Sequence, residues 1–350
     1  LIILDTPLPA AGRQRIPKPD PAALPAEPVA RARWNDSLRY DSRVNDDAGA
    51  VDLRGSVVAS TRQLEPREEN AMQGDTLRLG FDLPADPTLR DPDPDRDAFD
   101  AGQGVAGRRR LARFIARGSA RLESRAWADR PADEQPRLLH VTGDHIEYDD
   151  RSGAAAVYGP GEFLVRETWS PEPVAPEDEA VFGRTGTSLF TWQRGLRLNP
   201  RPGDRVEVIM EGRVEGIHQS LAGRTSTLTG ERFVADLDRA PAFEPSPRTA
   251  GNADVNTATT LDFASADMSL RRLRGSGGIF VDALRYDIDC DRFDYNIARQ
   301  IAVAEANAGR TVTVLEQDAR FPVRAERVVW NLDPRVDTIT IDRARGTTGR

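Results

Sequence analysis

The stretch HVTGDHIEYDDRSGAAAVYGPGEFLV, residues 140–165, carries the two patterns on which the fold reading turns. Its first part, Asp144-His-Ile146-Glu-Tyr148, sets an acid and then apolar residues at every second position. Its second part, Val157-Tyr-Gly159 to Phe163-Leu-Val165, is apolar alternation interrupted by a glycine. A period of two belongs to a strand with one buried face, whereas a helix repeats every 3.6 residues. A strand that bends sharply needs a residue without Cβ, often at a bulge, and apolar residues two and four positions either side keep one face inward through the bend.

Both patterns recur outward from this stretch, and repetition is the strongest signal in the chain. The acid-led element returns as Asp36-Ser-Leu38-Arg-Tyr40, Asp75-Thr-Leu77-Arg-Leu79, Glu231-Arg-Phe233-Val-Ala235, Asp282-Ala-Leu284-Arg-Tyr286 and Glu326-Arg-Val328-Val-Trp330. Three copies have a glycine just before the acid, at Gly74, Gly143 and Gly230. The glycine-centred element returns around Gly55 (Val51 to Ala59), Gly118 (Phe114 to Leu122) and Gly212 (Val208 to Val214). Ala302 to Ala308 reads as a degenerate fifth copy. Val105 to Arg117 is the one helical candidate, because Leu111, Phe114 and Ile115 share a helical face, but the repeat makes its second half a strand. The register implied places Leu38, Leu53, Leu77, Ile146, Val157, Phe233, Leu284 and Trp330 inward and Arg39, Asp52, Arg78 and Glu147 outward.

Composition bounds the function. The 350 residues include 48 Lys plus Arg against 56 Asp plus Glu, a net charge of −8. Such a balance argues against non-specific nucleic-acid binding, since nothing offsets repulsion from phosphates. Hydrophobic residues at 39% are too many for a wholly disordered chain, and the 30% charged fraction suits a solvated surface. No run approaches the roughly 20 apolar residues of a membrane-spanning helix. Cys290 is the single cysteine, which excludes an internal disulfide and a multi-cysteine metal site. The chain starts at Leu1, so a signal peptide or membrane anchor can precede it; Leu1-Ile2-Ile3-Leu4 is either the end of such a segment or, the preferred reading, a short strand.

Prolines mark the organisation. Residues 1–30 form a Pro-rich linker, 31–170 a first β segment, 171–180 (PEPVAPEDEA) a Pro/acidic linker and 181–345 a second β segment. Further proline loops fall at 84–94 and 240–250.

His140 to Asp149 with Gly153 to Gly159, and Asn35 to Asp41 with Gly49 to Gly55, resemble the OstA/LptA/LptC family of lipopolysaccharide-transport proteins. The resemblance runs over roughly residues 31–345, and the loops at 82–104 and 171–186 are inserts that compact members lack. It implies an all-β chain built as an OstA-like β-jellyroll, a rolled V-shaped sheet, here in two stacked segments. It also implies an apolar groove for acyl chains, with Leu53, Val57, Val157, Phe163, Val165, Val208, Met210, Val214 and Phe233 as the groove candidates. The partners it implies are lipopolysaccharide or another amphipathic lipid, and other jellyroll proteins through edge strands; the location is the periplasm or cell envelope. Open rolled sheets do have edges that pair with other strands, and an alternating apolar lining shields lipid tails.

Reactive chemistry finds few supports. His140 and His145 lie among Asp144, Glu147, Asp149 and Asp150, where a polar strand face accounts for them better than a metal site. His218 follows Ile217 at a strand end with no Ser–His–Asp order. Cys290 lies between Asp289 and Asp291, whose charges raise a thiol pKa. Gly275-Ser-Gly277-Gly278 is not followed by the lysine and helix of a phosphate loop. Arg108-Arg109-Arg110 reads as a solvated loop, and Asp91 to Asp100 lacks the spacing of a calcium loop. The expectation is therefore a non-enzymatic lipid-binding or transport protein with no cofactor and no metal. The competing reading is a structural scaffold of stacked β-jellyrolls; a third, a polysaccharide-binding or -modifying β-solenoid enzyme, suffers from an aromatic content of 6%.

Overall fold

The two-residue alternation of the sequence becomes, almost everywhere it occurs, an antiparallel strand with one face buried. The computed structural model describes residues 2–5, 30–41, 49–64, 67–82, 110–127, 135–168, 181–182, 185–239, 268–333 and 335–344. In the N-terminal half the strands are β1 (Ile2–Asp5), β2 (Ala30–Arg33), β3 (Ser37–Asp41), β4 (Gly49–Leu64), β5 (Arg67–Asp82), β6 (Arg110–Ala126), β7 (Arg137–Asp149), β8 (Ala154–Tyr158) and β9 (Gly161–Glu167). In the C-terminal half they are β10 (Gly186–Trp192), β11 (Gly195–Arg201), β12 (Arg205–Gln219), β13 (Thr225–Arg239), β14 (Met268–Ala283), β15 (Tyr286–Asn296), β16 (Ile301–Glu305), β17 (Val312–Glu316), β18 (Val323–Asn331) and β19 (Thr338–Ala344). All 19 strands of the described residues belong to one sheet. Every pairing is antiparallel except β1 with β2. Among the described residues the only helical element is a 3-10 turn, Ile297–Arg299.

The sheet is a meander of bent rungs. Long strands cross a line of bulges, and short strands pair up to span the same distance: β2 with β3, β8 with β9, β10 with β11, β16 with β17. At the line on β4, Arg54 faces Thr76 and Val57 faces Gly74, so Gly55 and Ser56 stand opposite Asp75 alone. Two residues against one is the β-bulge that bends a strand. The same shift occurs at Gly118-Ser119, Gly212-Arg213 and Gly277-Gly278. One wing of the bent sheet contains β9 and β10, the other β8 and β11. The inward faces of both wings contribute to a single apolar core, from Val57, Leu122 and Leu228 on one to Phe114, Phe233 and Trp330 on the other. Apolar burial therefore holds the two wings together at about 25 cal/mol per Å² of surface removed from water.

The inward set behaves as alternation requires: Leu53, Leu77, Ile146, Val157, Phe233 and Trp330 are buried and Leu38 packs partly against them. Outward, Arg78 meets Asp52 directly across the strand pair at 3.6 Å, Glu147 meets His145 at 3.0 Å, and Arg39 is exposed. Ile2–Asp5 is a strand, the preferred reading of the chain's opening, and Arg110–Ala126 is strand and not helix.

Two pattern assignments are corrected. Asp282 to Tyr286 is no strand copy but a hairpin tip, with β14 ending at Ala283 and Leu284 at φ +54°. The copy at that place in the ladder is Asp291-Arg-Phe293-Asp-Tyr295, in β15. Ala302 to Ala308 is not a fifth glycine-centred strand, because β16 ends at Glu305 and the chain turns. The fifth bend lies at Gly277-Gly278, where Leu273, Ile279 and Val281 supply the buried apolar positions.

The proline and aspartate stretches at 7–28, 84–94, 171–179 and 240–250, and Arg108 with Arg109, lie outside the described residues. So does the expected boundary at 171–180. On either side of it β9 and β10 are hydrogen-bonded neighbours, as are β8 and β11, so both segments share one sheet.

Candidate lipid groove

The alternation of acid-led and glycine-centred elements has a structural cause. Each corner acid sits against the glycine of the next rung. A Cβ on Gly118 would lie 2.0 Å from the Asp75 carboxylate, and one on Gly159 would lie 2.1 Å from that of Asp144. Both glycines have φ near +80°, at +76° and +80°, which side-chain-bearing residues seldom adopt. Asp36 against Gly55 and Glu231 against Gly277 repeat the contact, and Arg194 takes the acid's place beside Gly212. At the next rung, buried Asp291 accepts from the Asn307 backbone N–H at 2.7 Å and pairs with Arg310.

The nine groove candidates fall on the inward faces at or near these corners. Leu53, Val57, Val157, Val208, Met210, Val214 and Phe233 are buried in the common core. Phe163 and Val165 on β9 are half-buried. Phe163 lies opposite Val141 and Phe190, and Val165 opposite Leu139 and Ser188. Trp192 closes the corner beside them, its indole N–H donating to the Gly159 carbonyl at 3.1 Å. The structure thus groups seven candidates as core and leaves two, with Phe190, half-buried on the β9–β10 wing.

Further from the corner line, the inward face of that wing turns polar. Glu68, Asn70, Ser124, His218, Ser220 and Ser226 are buried there. Asn70 donates to Glu68 at 2.8 Å, and the Ser188 hydroxyl and His218 Nδ1 lie 2.9 Å apart. His218 is therefore an inward residue with a hydroxyl partner, and it is also directly opposite Ser226. Val181 and Phe182, which follow the acidic run, are buried as well. Sequence reasoning missed this pair; the available signal was an apolar Val-Phe at the end of a run of prolines and acids.

Outside, the wings carry ladders of charge. Arg197, Glu211 and Arg232 link three strands, and Arg292, Glu305, Arg327 and Asp342 link four. Burial works to raise the Glu123 carboxyl, but Arg121 and Arg125 outweigh it and hold the group below the usual range. His140 stands between Glu123 and Glu162 at 3.8 and 3.4 Å. Burial lowers the His145 pKa against the pull of Glu147. Among the described residues no three His, Cys, Asp or Glu side chains converge as metal ligands. Burial first, then Asp289 and Asp291, pushes the Cys290 thiol up to about 12, so it stays protonated at neutral pH.

No protein-family model matches this chain, and no curated protein matches it in sequence.

Proposed function

We propose that this chain is a non-enzymatic lipid-binding or transport protein of the cell envelope, holding the acyl chains of lipopolysaccharide or another amphipathic lipid between the wings of an OstA-like β-jellyroll. The supporting observation is the repeated corner: the Gly/acid pattern behind the family resemblance is the element at which the sheet bends, and it recurs at four corners, Gly55, Gly118, Gly159 and Gly277. A sheet bent there has two apolar faces turned toward one another, which is the arrangement acyl chains require; each buried methylene contributes about 0.8 kcal/mol. Phe163, Val165 and Phe190 are the inward apolar side chains that keep some exposure on the β9–β10 wing, and lipid enters beside them. Partner jellyrolls would add to the ladder at its ends, where β3 has a register with β4 and β19 with β18.

The scaffold reading draws on a different observation, the burial of seven of the nine candidates. A photo-crosslinker at Val165, compared with one at outward-facing Arg166, separates the two. Capture of lipopolysaccharide from position 165 alone is expected. Equal capture from both positions, or no capture and no co-purified lipid in native mass spectrometry, sinks the lipid reading and leaves the scaffold.

A further inference from the structure

Glu167 and Gly186 lie directly opposite each other at the ends of β9 and β10. A two-residue turn suffices for such a connection, yet the chain runs through residues 168–185. Within that connection Val181 and Phe182 return to the interior, each 6% exposed. The Phe182 ring stands 6.4 Å from that of His218 on the β9–β10 wing. It stands 6.0 Å, edge-on, from that of Tyr295 on the opposite wing. Phe182 therefore lies between the wings, with one ring neighbour on each, and Val181 is buried in the same core.

The seat is lined by rings, is polar on its His218 side, and is incompletely matched. The Tyr295 hydroxyl, on a side chain with 0% exposure, has no hydrogen-bond partner among the described residues, and burial raises its pKa. An unpaired buried hydroxyl is unfavourable. Neither Val nor Phe offers it a polar atom, whereas a lipid's ester, amide or hydroxyl group does. The residues before the pair, PEPVAPEDEA, are prolines, acids and small side chains that gain little from burial.

We propose that the seat of Val181 and Phe182 between His218 and Tyr295 is an acyl-chain site, and that this pair is its resident occupant until lipid displaces it. The proposal rests on the lipid reading above. A site whose competent form is a minority binds its ligand more weakly in proportion to that fraction, so emptying the seat strengthens binding.

The test uses the full chain and fluorescently labelled lauric acid. The double variant Val181→Ser/Phe182→Ser is expected to bind it at least about tenfold more tightly than the native chain. Phe182 replaced by 4-fluorophenylalanine keeps the seat filled, and its fluorine resonance is expected to move from a buried to a solvated position as unlabelled lauric acid saturates the protein. Equal affinities, or a fluorine resonance that stays buried at saturation, overturn the proposal and leave lipid binding intact. No binding by either chain overturns both. If the double variant does not fold, the fluorine measurement alone decides.

Discussion

Asp75 and Gly118 show how much of this architecture resides in single positions. A side chain at 118 would have to share space with the Asp75 carboxylate and hold φ at +76°. Gly223 is a control, since it has φ +82° but nothing within 4 Å of the place a Cβ would occupy. Gly223→Ala is expected to lose about 1 kcal/mol from backbone strain alone. Gly118→Ala is expected to lose about 2–4 kcal/mol, because overpacking adds to that strain. Urea midpoints of the two variants measure the difference, and equal losses would mean that the corner contact contributes nothing. The glycines were legible because a missing side chain inside an alternating run stands out. Their pairing with acids from the preceding rung was not, since it depends on register between strands.

At the scale of strands, the β14–β15 hairpin places Asp282 directly opposite Asp287. Burial, and then the Asp282 charge, raise the Asp287 carboxyl above its usual value. A raised carboxyl means that the folded chain binds the proton more tightly than the unfolded chain. The pair therefore costs stability above the raised value, and that cost is relieved as pH falls through it. Asp287→Asn is expected to stabilise the protein by about 0.2–1 kcal/mol at neutral pH, the usual penalty of like charges across a strand pair. The gain should vanish in acid below the ordinary carboxylate range; a denaturant series across pH checks this, and a pH-independent gain would rule the explanation out. The same hairpin shows why a five-residue pattern misleads. Asp282 to Tyr286 and Asp291 to Tyr295 both read acid, apolar, aromatic, but the first turns at Leu284 and Arg285 and only the second lies along the ladder. The distinction rests on which strand each residue pairs with, a non-local property.

For the whole molecule, continuity of the sheet across the acidic linker governs behaviour. β9 and β10 share a full register from Gly161–Trp192 to Glu167–Gly186, and β8 pairs with β11. Separately expressed 1–170 and 181–345 would each expose an unpaired edge with apolar inward residues, which favours association. The two pieces are expected to co-purify as a one-to-one complex when co-expressed and to aggregate or self-associate when alone. Two soluble, monomeric halves in size-exclusion chromatography would show instead that the segments fold independently. The interior belongs to this scale too: Phe182 is distant in sequence from Tyr295, and only the closing of the two wings brings them together.

By itself the amino-acid sequence determined that the chain is all-β, where most of its strands bend and which faces of those strands turn inward. Those properties follow from period-two alternation and glycine placement, which act within a few residues. The tertiary structure decided the rest. It selected Asp291 over Asp282 and Gly277-Gly278 over Ala302–Ala308, joined the two segments into one sheet, and set Phe182 between the wings. It also divided the groove candidates into seven core residues and two half-buried ones. Each of these depends on which strands become neighbours, and a local pattern is equally satisfied by every arrangement that keeps its apolar face out of water.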